Sequence, residues 1–216
     1  TATTHTVTVT DAFGATATAT FSLTVNGAVS ASQAVAAKAL TQNTAATSFT
    51  PVTGSGGTAP LAYSVSPALP TGLTMASATG AVTGTPTVTS GTTTYTVTVT
   101  DANSATASNT FSLTVNGAVT ATQAVASHSA TQNVAGTNIT PVTGAGGTGS
   151  LSYSVSPALP TGLSMASATG TITGTPTVTS GATTYTVTVT DANGATATAS
   201  FGLTVDAEIT IGVVVR

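Results

Sequence analysis

The sequence predicts an all-β chain of tandem sandwich repeats, joined like beads on a string, and three observations carry that expectation. The first is a long internal repeat. Asp11, Asp101 and Asp191 are spaced by 90 residues, as are Phe21, Phe111 and Phe201. Residues 27–116 set against 117–206 without a gap are identical at 66 of 90 positions. The second is alternation: Tyr95, Val97 and Val99 alternate with Thr94, Thr96, Thr98 and Thr100, the period of two that marks a half-buried strand. The third is punctuation, since glycine- and proline-containing turns break the chain at short intervals and no segment sustains a 3.6-residue helical period.

The repeat sets the domain organisation. Residues 1–26 are expected to be the C-terminal part of one repeat, 27–116 and 117–206 two full repeats, and 207–216 the first strand of another. A strand pattern already runs through residues 1–10 and there is no initiator methionine, so the sequence is expected to begin inside a repeat. A period of 90 exceeds the roughly 20–50 residues of solenoid units. It lies close to the ~100 residues of an immunoglobulin-type sandwich. Each repeat is therefore expected to hold its own core and to meet only its neighbours along the chain.

Within the first full repeat, residues 33–52 are expected to give the first one or two strands, and Gly54-Ser55-Gly56-Gly57 a loop. Residues 61–65, with 151–155 in the second copy, read as short strands carrying Tyr63 and Tyr153. Pro67, Pro70 and Gly72 then break the chain, as do Pro157, Pro160 and Gly162. Residues 73–75 and 81–83 follow as two short strands around a turn at Thr79-Gly80. Gly84-Thr85-Pro86 stops that pairing, because proline has no N–H to give to a ladder. The clearest element is the hairpin over 94–115, which turns at Asp101-Ala102-Asn103-Ser104. Its second copy turns at Asp191-Ala192-Asn193-Gly194, where Asn-Gly signals a tight turn because both residues tolerate positive φ. The return strand places Ala105, Ala107, Phe111, Leu113 and Val115 on one face, so the core is expected to taper toward the hairpin tip. About seven short strands per repeat, separated by turn signals, amount to a sandwich. Phe49, Tyr63, Tyr95 and Phe111 are its few aromatics, which leaves the core mostly to Val, Leu and Ala.

The same residues carry a resemblance. Tyr153-Ser154-Val155, Leu159-Pro160-Thr161-Gly162-Leu163-Ser164, Thr169-Gly170-Thr171-Ile172-Thr173-Gly174-Thr175-Pro176 and the run from Tyr185 to Asp191 occur in order, and related forms recur in the other repeat. Together they resemble the Putative Ig domain family of bacterial surface proteins, related to dystroglycan-type cadherin-like domains. The resemblance covers most of each full repeat. It implies a β-sandwich and an extracellular, often adhesin-like, parent protein, and it implies no particular ligand.

Composition narrows the function. Charged residues are 3% of the chain, against about 25% in an ordinary soluble domain. Lys38 and Arg216 are the only Lys or Arg side chains, too few for the phosphate contacts of nucleic-acid binding. The 40% hydrophobic content and the ordered Thr/Val alternation oppose disorder despite the low charge. Without cysteine there is no disulfide and no thiolate metal site. No apolar stretch approaches the roughly 18 residues that span a bilayer, so no membrane span is expected in this segment.

Each candidate chemistry meets a simpler reading. Calcium needs 6–8 oxygen ligands, yet each repeat offers one turn carboxylate, Asp101 or Asp191. Asp206 and Glu208 approach each other in sequence only where Asn116 and Ala118 stand one repeat earlier. Turn formation by the Asp side chains is the favoured reading. His5 and His128 correspond to Tyr95/Tyr185 and to Lys38, so neither position is constant between repeats. Isolated histidines do not make a metal site or a Ser–His–Asp constellation. A systematic Lys–Asn cross-link is ruled out because Lys38 is the sole lysine. Asn138-Ile139-Thr140 is a glycosylation sequon, but the other repeat has Ser48-Phe49-Thr50. The many threonines are open to O-glycosylation. Regular threonine rows also suit an ice or polysaccharide surface, although threonine's strand preference explains them without one. No catalytic, cofactor-binding or metal-ligating residue is expected, and no enzyme.

Three functions fit. A structural spacer or stalk of an extracellular surface protein, adhesin or appendage, a phage particle included, fits best. A filament subunit joined by strand donation is the second, its partner an identical chain. A module binding surface glycans or proteins through loops such as residues 144–150 is the third. Those loops differ between copies at Ser55/Ala145, Ala59/Gly149 and Pro60/Ser150.

Overall fold

A computed structural model describes residues 2–209. All the regular elements among them are strands. The chain opens with a hairpin in which β1 (Ala2–Thr10) pairs antiparallel with β2 (Thr16–Thr24). The 27–116 repeat follows with β3 (Ser30–Gln33), β4 (Ala37–Thr41), β5 (Val52–Ser55), β6 (Ala62–Ser66), β7 (Leu73–Met75), β8 (Val82–Gly84), β9 (Ser90–Thr100) and β10 (Thr106–Asn116). The 117–206 repeat continues with β11 (Thr120–Gln123), β12 (Ser127–Thr131), β13 (Thr137–Ile139), β14 (Val142–Ala145) and β15 (Ser152–Ser156). It closes with β16 (Leu163–Met165), β17 (Ile172–Gly174), β18 (Ser180–Thr190) and β19 (Thr196–Asp206). The strand expected over 207–216 lies mostly outside the described residues.

Both repeats are immunoglobulin-like sandwiches. One sheet has the order β4-β10-β9-β6, repeated as β12-β19-β18-β15. The opposing layer pairs β3 with β5 and β7 with β8, joined through the Phe49–Val82 bridge. In the second copy that bridge lengthens into β13, which pairs with β17. Proline fixes the break between the two halves of this layer. Pro51 and Pro141 cannot donate, but their carbonyls accept from Ala34 and Val35, and from Ala124 and Val125. The first strand serves both sheets. β3 pairs antiparallel with β5, the chain crosses over at residues 34–36, and β4 then runs parallel to β10 from Ala37↔Ser112 to Thr41↔Asn116.

The core follows from the period of two. Tyr95, Val97 and Val99 on β9 and Phe111, Leu113 and Val115 on β10 are buried, with Leu40, Val52, Leu73 and Val82 from the other strands. Tyr95 stacks on Phe111 with centroids 5.5 Å apart, and Tyr185 on Phe201 at 5.6 Å. The two sheets thus bury a core of mainly Val and Leu around a stacked Tyr–Phe pair in each repeat, with Phe49 packed edge-on against Phe111 at 6.2 Å in the first.

Several expectations about elements change. The first strand begins at Ser30 rather than Gln33, and splitting it in two raises the count above seven. Gly54 and Ser55 belong to β5 instead of a loop. Gly54 is required there because a Cβ would sit 2.6 Å from Val99 Cγ1, and its N–H donates to the Tyr63 hydroxyl at 3.0 Å. The β9–β10 connection is a five-residue loop, since Thr100 faces Thr106. Only the fourth loop residue takes positive φ, Ser104 at 68° and Gly194 at 81°. The Asn preceding it instead gives its N–H to the loop aspartate.

Candidate functional site: the inter-repeat junction

The side chains that converge across elements do so where one repeat meets the next. β10 ends at Asn116 and β11 begins at Thr120, leaving residues 117–119 as connector. The loop after β14 folds back onto it. Gly147 N donates to Gly117 O at 2.9 Å. Gly146 has φ 73°, and a Cβ there would meet Ala118 O at 2.2 Å, so both the turn and the close approach require glycine.

Asp191 organises the far side of the junction. Its Oδ1 accepts from Asn193 N at 2.9 Å and Ala195 N at 2.8 Å, which shapes the β18–β19 loop. Its Oδ2 accepts from Thr148 N at 2.8 Å. The near side supplies Thr41 at the end of β4, whose hydroxyl donates to the same Oδ2 at 2.5 Å. Asn193 Nδ2 donates to Ala39 O and to Thr41 Oγ1, both at 3.2 Å. The Thr148 hydroxyl lies 2.9 Å from that of Thr41 and 3.1 Å from Leu40 O, and can give its proton to either. Asn116 Nδ2 donates to Thr148 Oγ1 at 2.9 Å. Thr41 and Asp191 are 1% and 6% exposed, so these polar groups are withdrawn from water and satisfied by one another.

The electrostatics agree with the geometry. Burial is the largest influence on Asp191 and opposes its charge. Hydrogen bonds from Thr41, Thr148, Ala195 and Asn193 together outweigh burial and hold the carboxyl below its ordinary range. Asp101 is also lowered, chiefly by the N–H of Thr58, against burial and with help from Ala105 and Asn103. Donors thus surround both carboxylates, and the turn role expected of Asp101 and Asp191 holds.

The other candidates lie apart. His5 is exposed on β1 and stacks on Phe21 at 5.3 Å, while His128 is half-buried on β12. The Lys38 ammonium on β4 lies 5.7 Å from the Phe49 ring centre. Asn138 is exposed on β13 opposite Thr173. Glu208 accepts from Asn133 Nδ2 at 3.3 Å, and Asp206 is exposed. Among the described residues, no group of three or more His, Cys, Asp or Glu side chains is placed to hold a metal ion. The loop 144–150 contributes Gly146, Gly147 and Thr148 to the junction, with Gly149 and Ser150 exposed. Sequence reasoning missed Thr41, Thr148 and Asn116. The available signal was a strand-end threonine kept as Thr41 and Thr131 while the four residues before it all differ, Ala-Lys-Ala-Leu against Ser-His-Ser-Ala.

A tandem immunoglobulin-like β-sandwich with a hydrogen-bonded junction is consistent with a repeat of structural or adhesion type. The chain belongs to the family described as Putative Ig domain, which matches residues 28–116 and 118–206. No curated protein matches it. Among solved structures it is similar to extracellular cadherin domains 1–4 of protocadherin gamma B7, at 14% identity over 88% of this chain and TM-score 0.38. It spans 55% of that chain. Human protocadherin-24 EC1-2 is similar at 16% identity over 86% of this chain and 100% of that one, with TM-score 0.39. The titin I-band fragment I67-I69 is similar at 11% identity over 96% and 75%, with TM-score 0.42.

Proposed function

We propose that this chain is a spacer segment of a long extracellular protein, with repeats stacked end to end so that a distal part stands away from a surface. The junction carries this reading. Only residues 117–119 link β10 to β11, and Thr41 of one repeat is bonded to the buried Asp191 of the next. So short a connector, fixed on both sides, leaves the repeats little freedom to swivel. Support also comes from the near-identity of the copies, which suits a unit used for its length. A net charge of -3 means that successive repeats repel one another little. Small-angle scattering of the chain tests the reading. A single rod-like shape is expected, and a profile that only freely rotating repeats reproduce would rule out a rigid spacer.

A further inference from the structure

The end of β4, the segment after it and the β18–β19 loop leave a groove where the two full repeats meet. It holds about 240 Å³ and is lined by Lys38, Leu40, Thr44 and Thr47 from one repeat and by Ala192 and Asn193 from the next, among others. Thr47 and Ala192 are exposed, so the groove opens to solvent from both sides of the junction.

The polar groups of this groove are short of partners. The half-buried Lys38 holds its ammonium 5.7 Å from the Phe49 ring centre and forms no ion pair or hydrogen bond among the described residues. An ammonium without a counter-ion attracts an anion, more strongly where the surroundings are partly desolvated. Asp191 does not fill that role, because both its oxygens already accept from Thr41, Thr148, Asn193 and Ala195. The placement of the cation is also selective. Lys, Arg and His together number four in 216 residues, and two of the four, Lys38 and His128, fall at one position of the repeat. Their neighbours change from Ala37, Ala39 and Leu40 to Ser127, Ser129 and Ala130, so a basic side chain is what the two copies share there. The Thr44 and Thr47 hydroxyls and Asn193 Oδ1 have no hydrogen-bond partner among the described residues either, whereas Asn193 Nδ2 is held by Ala39 O and Thr41 Oγ1.

We propose that this groove binds one uronic-acid residue of an acidic polysaccharide, its carboxylate on the Lys38 ammonium and its ring hydroxyls on Thr44, Thr47 and Asn193. The ammonium selects an anion. The two hydroxyls and the amide oxygen select a group that carries hydroxyls of its own over a bare ion. Leu40 and Ala192 add apolar contact for the C–H face of a ring. The volume lies below the roughly 300–1,000 Å³ of pockets that enclose drug-sized ligands, so the groove takes one sugar ring and leaves the rest of a chain outside. A ring held there touches both repeats and therefore stabilises the junction that forms the groove. The inference needs this junction but not the spacer reading, since its test reads recognition of a sugar and not length or stiffness.

The test is a titration of the full, isotope-labelled chain with sodium glucuronate at constant ionic strength, followed by backbone amide shifts. Glucose serves as the neutral match and sodium acetate as the bare carboxylate. Saturable shifts with glucuronate are expected at Lys38, Thr44, Thr47 and Asn193. Glucose is expected to bind about tenfold more weakly or worse, the value of a hydrogen bond between charged groups, and Lys38→Gln to weaken glucuronate by the same factor. Thr44→Val, which installs the residue found at 134 in the other copy, is expected to weaken glucuronate about threefold. Absence of saturable shifts at high millimolar glucuronate, shifts confined to other residues, or equal binding of glucose would overturn the proposal. Acetate binding as tightly as glucuronate would overturn it too, by reducing the groove to a simple anion site. The three ligands are compared on the parent chain, so that comparison is decisive even if a variant unfolds.

Discussion

Thr41→Val tests the junction most directly, because Thr131 provides a matched control in the same chain. The substitution keeps the shape and removes one hydroxyl. Thr41 loses its bond to the Asp191 carboxylate, the kind worth about 1.5–3 kcal/mol. Asp191 keeps three N–H donors, so no naked charge is left behind, and Asn193 Nδ2 keeps Ala39 O. The extra buried methyl returns a fraction of the loss. A net cost of about 2 kcal/mol follows, which for a chain of this size lowers Tm by about 4–8 °C. Thr131 occupies the same strand-end position, is half-buried, and its hydroxyl makes no hydrogen bond among the described residues. Thr131→Val is therefore expected to stay within about 0.5 kcal/mol of the parent. Urea and thermal melts of the two variants, followed by circular dichroism, decide the matter. Equal costs for the two, or no cost for Thr41→Val, would refute the claim that the Thr41–Asp191 bond couples the repeats.

Three further outcomes are expected. Gly144→Ala places a Cβ 2.5 Å from Val189 Cγ1 and 3.1 Å from the Tyr153 hydroxyl, so a loss of about 1–3 kcal/mol is expected. Gly181, with no atom within 4 Å of a built Cβ, should accept alanine at no measurable cost in the same melt. Because Asp101 and Asp191 have carboxyl groups held below the usual value of 3.8, the stability they contribute is complete above about pH 5. That contribution is lost as pH falls through their lowered values, and Asp191→Asn should flatten the acid end of a Tm-against-pH curve. A chelator should leave the melt of the chain unchanged, since N–H and O–H donors already occupy the turn carboxylates. A fall of several degrees on chelation would contradict this account of the junction.

The sandwich was legible because its signals are local and repeated. The breaks at Pro67, Pro70 and Pro86 place β6, β7 and β8 to within a residue, and the period of two finds β9 and β10, although β9 starts at Ser90, four residues before the expected Thr94. What was not legible depends on contacts across the fold. Gly54 reads as a loop residue until Tyr63 and Val99 are seen to fill the space over it. Asn193-Gly194 reads as a two-residue turn, but Asp191 Oδ1 gathers two N–H groups and holds a longer loop. Thr41 is one threonine among many, and its role exists only because residue 191 of the following repeat meets it.

The parallel pairing of β4 with β10 has a consequence for force. The chain enters a repeat through β3 and β4 and leaves through β10, so tension along the polypeptide draws these two strands past each other lengthwise. Their backbone bonds, from Ser112 N to Ala36 O through Gln42 N to Asn116 O, then bear the load together. A hairpin such as β9–β10, if pulled apart at its open end, would instead peel one bond at a time. Placing the first and last strands side by side in register therefore makes each bead resist stretching at the point where the load enters and leaves it.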